Sequence, residues 1–283
     1  MASAPSASKL EARARSAGDL SLRIISSVAL APLALGAAYV GGWVFLLFWL
    51  IAALGVLWEW NRLAAAPATW GVTAAGAVAL SGAALAVGLR AFAVAALVMV
   101  GGLVATALLA RRFWSAVGLA YAACVVIPAA ILRGADAAYG FASIMLLFAV
   151  VWGTDIGAYF GGRLLGGPKL WPRVTPKKTW SGALIGAGVA TLAGLGVAWI
   201  AESRNLAAVA AVCLALSVAS QAGDLFESAI KRRFGAKDAS ALIPGHGGLM
   251  DRLDGFVAAA LAAVLVGVYR GGIEAPARGL LIW

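Results

Sequence analysis

The chain has 283 residues, of which 63% are hydrophobic and 12% charged. That is about half the charge of a soluble domain, and it excludes a water-soluble globular fold. The net charge of +10 comes without an aromatic-interleaved basic platform of the kind that binds single strands, so it points to membrane topology and anionic lipid heads rather than to nucleic acid.

Residues 1–21, rich in Ala and Ser, read as a disordered cytoplasmic tail. The first apolar stretch starts only after Arg23 and is as long as a full span, which argues against a cleaved signal peptide. Apolar runs then recur without amphipathic spacing, each long enough for a hydrocarbon core of roughly 30 Å. They predict about nine transmembrane helices, over 22–41, 43–59, 70–89, 91–110, 114–132, 138–160, 181–201, 206–226 and 255–271. The expected fold is an all-α polytopic membrane protein with cytoplasmic active-site loops. Very short turns make the first two spans, and the third and fourth, helical hairpins.

With the N-terminus in the cytoplasm, 17 of the 22 Lys and Arg residues fall on cytoplasmic segments and five on outer ones, as the positive-inside rule requires. The polar loops over about 161–180 and 227–254 then face the cytoplasm. Acidic residues are scarce in the first half. The expected division is therefore into N-terminal transmembrane helices over 22–136 and a C-terminal transmembrane catalytic region over 137–283.

Gly157-x-x-x-Gly161 and Gly182-x-x-x-Gly186 have the spacing of close helix packing, and the glycine-rich helices would suit a homodimer. Cys124 and Cys213 lie in apolar runs and read as small buried hydrophobes. His246 is the only histidine, which argues against zinc.

Carboxylates within or at the mouth of a span are costly and usually functional. Asp155 lies near the end of the sixth expected span. Asp224 and Glu227 end the eighth, and Asp251 and Asp254 lead into the ninth. Asp224, Glu227 and Lys231 share a helix face, and Asp251 and Asp254 are one turn apart. Such carboxylates suit a hard divalent ion such as Mg²⁺. Two structural readings stand beside this one: Asp254 as a helix N-cap, and Glu227 as a solvated interfacial residue pairing with Lys231. Lys231, Arg232, Arg233, Lys237 and Arg252 surround the carboxylates from one loop, Lys177 and Lys178 from the other. Cations, carboxylates and the glycine turn Pro244-Gly-His-Gly-Gly248 together suggest metal-bridged polyphosphate. The GxxxxGK[ST] loop is absent.

The run Lys231-Arg-Arg-Phe-Gly-Ala-Lys237-Asp238, followed by Pro244-Gly-His-Gly-Gly-Leu-Met-Asp251-Arg252-Leu-Asp254, resembles the signature of the phosphatidate cytidylyltransferase (CDP-diacylglycerol synthase) family. Gly223-Asp-Leu-Phe-Glu-Ser228, Asp155-Ile-Gly-Ala-Tyr159 and Pro176-Lys-Lys-Thr-Trp180 resemble the same family, in the same order. The resemblance implies a nucleotidyltransferase of phospholipid biosynthesis in the cell inner membrane. It would transfer the CMP moiety of CTP to phosphatidate and release pyrophosphate. A phosphate monoester is already an anionic nucleophile, so no general base is required, and the work is charge stabilisation. By this resemblance Asp224 and Asp251 are the principal metal ligands for Mg²⁺, with room for a second, monovalent ion. Asp155 and Asp254 are further metal candidates. Lys231, Arg252 and His246 join Asp224 and Asp251 as catalytic candidates. Lys177, Lys178, Thr179, Ser181, Arg232, Lys237, Asp238, Gly247 and Gly248 are candidates for binding substrate. Ser181 stands where the family commonly has Glu, and Ala239-Ser240 replaces a usual Ser-Gly.

Other readings differ in what they predict. An ion-coupled transporter would carry inverted repeats and mid-span carboxylates. A polyprenol kinase or an ether-lipid cytidylyltransferase would use CTP with another acceptor. The DGxxARx₈GxxxDxxxD pattern of CDP-alcohol phosphotransferases is absent.

Overall fold

The computed structural model describes residues 30–64, 70–134, 136–240, 242–243 and 247–283. The expected tail, the start of the first span and His246 lie outside them. Eight helices are long and apolar enough to cross a membrane: α2 (Gly42–Leu63), α3 (Trp70–Gly88), α4 (Phe92–Ala110), α5 (Phe113–Arg133), α6 (Ala137–Leu165), α7 (Trp180–Ile200), α8 (Leu206–Arg233) and α9 (Met250–Gly271). The described part of the first expected span is an apolar helix, α1 (Leu30–Val40), too short by itself to cross. A six-residue helix, α10 (Pro276–Leu281), closes the chain. The protein is a multi-pass membrane protein, with eight complete spans among the described residues where about nine were expected.

Two boundaries move in a way that matters. α8 continues to Arg233, seven residues beyond the expected end, and α9 begins at Met250 rather than at 255. Apolar runs mark where lipid ends, whereas helices continue into the interface as long as their backbone bonds are made. Glu227 and Lys231 are therefore helical, and Asp251 and Asp254 lie inside α9. This overturns the reading of Asp254 as an N-cap, since Leu249 holds that place. The expected loop over 161–180 instead contains an antiparallel hairpin, β1 (Lys169–Trp171) and β2 (Thr175–Thr179), with Lys169 opposite Thr179 and Trp171 opposite Thr175.

Glycines set the helix spacing. α6 and α7 form the most extensive helix pair, and their two GxxxG motifs face each other. A Cβ on Gly157 would lie 2.9 Å from Gly186 Cα, and one on Gly186 would lie 2.7 Å from the Thr154 carbonyl. Both motifs thus serve packing within one chain, and a homodimer would need a different face. Cys124 and Cys213 are free thiols, and buried Cys213 fills the space beside Gly194. In the core, Trp49 of α2 stacks on Phe256 of α9, with centroids 4.4 Å apart, and Phe148 of α6 packs against both.

Successive crossings of one bilayer alternate in direction. The ends at Leu63, Ala110, Leu165, Trp180, Arg233 and Met250 therefore share one side. The other side is closed by buried Arg133, whose Nε donates to the Ala38 carbonyl at 2.8 Å, and by Arg278, 2.9 Å from Asp136. Burial works to raise the Asp136 carboxyl, but the Tyr139 amide and Arg278 outweigh it and hold the group below the usual carboxylate range.

Gly186→Leu should lower the midpoint of thermal unfolding in mild detergent, by an overpacking cost of roughly 1–3 kcal/mol. Gly188→Leu on the same helix, where an added Cβ meets nothing within 4 Å, should leave the midpoint near wild type.

Candidate active site

The candidate residues converge at the side where α6 and α8 end and α7 and α9 begin. Glycines make the α8–α9 contact close. A Cβ on Gly223 would lie 2.5 Å from the Asp254 carbonyl, and one on Gly255 would lie 2.5 Å from Ser220 Oγ. This contact brings Asp224 of α8 up to Asp254 of α9. Asp254 is within electrostatic reach of Asp224, Asp155 and Lys178, and Asp155 within reach of Asp224, Lys178 and Arg252.

A second group lies one turn toward the helix ends. Lys231 Nζ is 2.7 Å from Glu227 Oε2 and also bonds Asp251 Oδ1. All three are well buried, with side chains exposed by 12% for Lys231, 1% for Glu227 and 9% for Asp251. Glu227 is therefore a buried partner of Lys231, not a solvated one. The other oxygen of Asp251 accepts from the Gly248 amide at 2.8 Å and the Ala239 amide at 3.0 Å. These bonds hold the glycine turn against the first turn of α9. Gly247 has φ +84°, which suits glycine. A Cβ on Gly248 would lie 2.9 Å from Asp251 Oδ2.

The hairpin separates two adjacent lysines. Side chains alternate across a strand, so Lys178 reaches Asp224 and forms an ion pair with it, while Lys177 stays exposed. The Thr179 side chain caps α7 by accepting from the Gly182 amide at 3.2 Å. The Ser181 hydroxyl donates to the Gly166 carbonyl and lies 3.0 Å from Thr179 Oγ1. Ser181 therefore ties the hairpin to the end of α6, without adding a negative charge at that place.

Outside the carboxylate core the surface is basic. Arg232, Lys237 and Arg252 are exposed, with Asp238 among them, and Arg232 also donates to the Ala236 carbonyl at 3.1 Å. Asp155 is exposed on the flank of α6, beside exposed Ile156 and Tyr159. The site thus opens toward both water and the lipid-facing side of the bundle.

Two residues escaped the sequence reading. Tyr121 of α5 is buried, and its hydroxyl has no hydrogen-bond partner among the described residues; it lies within reach of Asp254, Glu227 and Asp224. Glu59 of α2 is fully buried and accepts from the Leu249 amide at 2.8 Å, the Met250 amide at 2.7 Å and the Ser240 hydroxyl. The sequence did carry a signal for Glu59: it is the only acidic residue between Asp19 and Asp136.

A family model described as the cytidylyltransferase family matches residues 21–269. This chain belongs to that family. The phosphatidate cytidylyltransferase of Brucella suis biovar 1 (strain 1330) is 44% identical over 259 residues, covering 88% of this chain and 93% of its own length. That of Brucella melitensis biotype 1 gives the same figures. The phosphatidate cytidylyltransferase of Staphylococcus aureus (strain COL) is 40% identical over 119 residues, 42% of this chain and 46% of its own length. The resemblance first seen in the motifs of the second half thus extends, as family membership, through the N-terminal helices that place Glu59.

Removing one partner of a buried ion pair strands the other charge, at a cost of about 3–5 kcal/mol. Lys231→Met should therefore lower the thermal midpoint in detergent markedly. Adding Glu227→Gln to that variant should recover part of the loss, because it removes one of the two stranded charges.

Proposed function

We infer that this chain transfers the CMP moiety of CTP to phosphatidate, giving CDP-diacylglycerol and pyrophosphate for phospholipid biosynthesis. The observation that carries the reading is the 44% identity to phosphatidate cytidylyltransferases across 88% of the chain. The carboxylate–lysine core on α6, β2, α8 and α9 fits that chemistry.

We place the reaction on the cytoplasmic side of the cell inner membrane. The charge asymmetry of 17 basic residues against five supports that side, and CTP is available there. Phosphatidate would present its headgroup at the helix ends and keep its tails in lipid.

Mg²⁺ fits the donor set. Five carboxylates (Asp155, Asp224, Glu227, Asp251 and Asp254) stand with two lysines (Lys178 and Lys231), so acidic oxygens outnumber the fixed cations among them. Among the described residues no three His, Cys, Asp or Glu side chains form a ready metal cage. Mg²⁺ commonly needs only one or two carboxylates, with water and substrate phosphates completing its shell. Asp224 and Asp251 are the ligands we assign, with Asp155 and Asp254 behind them; a monovalent ion would find oxygen donors in the same group. When bound, the divalent ion would neutralise the phosphate oxygens and the charge gathering on the leaving pyrophosphate.

The protein's own groups have separable tasks. Lys178 and Lys231, now paired with Asp224 and Asp251, hold those carboxylates in place and offer ammonium groups to phosphate. Lys177, Arg232, Lys237 and Arg252 line the rim that an anionic nucleotide would approach. The amides of the Gly247–Gly248 turn and the Thr179–Ser181 corner fix the floor and one wall. The phosphatidate oxygen attacks the α-phosphorus, the bond to the β-phosphate breaks, and the electron pair leaves with pyrophosphate. No side chain has to remove a proton from an ionised phosphate monoester.

The test is to supply purified protein with phosphatidate, radiolabelled CTP and Mg²⁺, and to follow label into the lipid phase. Labelled lipid and pyrophosphate should form together and disappear with EDTA. Asp224→Asn and Asp251→Asn should each reduce turnover by about 10²–10³-fold, the scale of losing one preorganised charge at a transition state. Label that appears only on another lipid alcohol or phosphate would keep the nucleotide site and overturn the acceptor. Near-native turnover in either variant would overturn the metal assignment.

A further inference from the structure

Glu59 belongs to the N-terminal helices, yet it reaches across 181 to 191 residues of sequence to the loop that carries the site. Its side chain is fully buried, and its three donors among the described residues are neutral: two amides and a hydroxyl. A buried carboxylate is costly unless donors satisfy it. Here the donors are amides at the start of α9, where the helix dipole also favours negative charge. Leu249, the N-cap of α9, makes no side-chain cap of its own, and Glu59 supplies one from another helix.

Two glycines give room for this contact. One turn before Glu59, a Cβ on Gly55 would lie 3.0 Å from Leu249 Cδ2. On the facing turn, a Cβ on Gly248 would lie 2.9 Å from both Glu59 Oε1 and Asp251 Oδ2. The turn is thus held from two sides by two carboxylates. Asp251 grips the Gly248 amide, and Glu59 grips the next two amides along the chain. Asp251 is the second residue of α9, so the position of its carboxylate relative to Lys231 is set by a turn that Glu59 anchors to α2.

We propose that Glu59 is a positioning residue for the cytidylyltransferase site. It fixes the 247–250 turn and the start of α9, and so holds Asp251 in register with Lys231 and Asp224. The catalytic part of this rests on the function proposed above. A misplacement of about 1 Å can cost roughly 10²-fold in rate, so loosening this anchor should act on kcat.

The experiment pairs hydrogen exchange with kinetics on the full-length protein in detergent. Glu59→Gln keeps the size of the side chain but offers one acceptor oxygen in place of two, so one of the two amides loses its partner. Exchange in peptides spanning 247–251 should quicken by about tenfold or more, the behaviour of a locally opened turn, while peptides of α3 and α4 stay at wild-type rates. With CTP and Mg²⁺ saturating, kcat should fall by about 10- to 100-fold, with the KM for phosphatidate within about twofold. Ser240→Ala removes only the hydroxyl donor and should show both effects at smaller size, which keeps the test open if Glu59→Gln does not fold. Lost turnover with wild-type exchange would mean that Glu59 acts by another route. Fast exchange with wild-type kcat would mean that the turn does not control the reaction. Either result overturns the proposal. A wild-type protein inactive toward CTP and phosphatidate would sink the proposed function. Wild-type exchange in Glu59→Gln would sink this inference whatever the activity.

Discussion

Carboxylates crowded at the end of an apolar helix bundle repel one another, and cations standing among them relieve that repulsion. Two like charges about 4 Å apart cost about 4 kcal/mol at an effective dielectric of 20. Lys231 answers this for Glu227 and Asp251, and Lys178 answers it for Asp224. The two lysines arrive by different routes. Lys231 comes from α8 itself, two turns beyond Asp224, so its place follows from helix geometry. Lys178 comes from a two-stranded hairpin between α6 and α7, so its place depends on strand register. The extra turns of α8 and the hairpin both serve to set ammonium groups among acids.

The distances in this arrangement are set by missing side chains. Gly223 and Gly255 let α8 and α9 touch, and Gly248 lets a turn pass between two carboxylates. At the hairpin, a Cβ on Gly162 would lie 2.9 Å from Thr179 Oγ1, so glycine also admits the corner that presents Lys178. In lipid, burying apolar surface gives little reason for one helix to approach another, and close packing has to supply it. Here the packing that joins the helices is the same packing that aligns the site.

Apolar runs announced the helices, because a span needs length and hydrophobicity and little else. The spacing of Asp224, Glu227 and Lys231 announced one face of the candidate site, because that geometry is local to a helix. The helix ends of α8 and α9 were misplaced because lipid stops before the backbone hydrogen bonding does. Lys177 and Lys178 read alike in sequence and differ in structure. Strand pairing, a non-local event, sends one into the core and leaves the other at the rim. Glu59 shows the same limit from the other side. Its isolation among apolar residues was visible, but its partners lie in the second half of the chain, and nothing near it in sequence points to them.

The charge pattern also bears on the form in which a nucleotide could enter. The rim, with Lys177, Arg232, Lys237 and Arg252 exposed, would attract a polyphosphate. Inside it, five carboxylates outnumber the two lysines, Lys178 and Lys231. A bare polyphosphate drawn in by the rim would meet carboxylate oxygens there. The same polyphosphate carrying a divalent ion would offer those oxygens a cation to bind. Phosphatidate faces the opposite problem, since its tails cannot leave lipid. Asp155, exposed on the flank of α6 beside Ile156 and Tyr159, marks where the charged core opens toward that side. A site entered from water by one anion and from lipid by the other has to sit at helix ends, where a few fixed cations serve both.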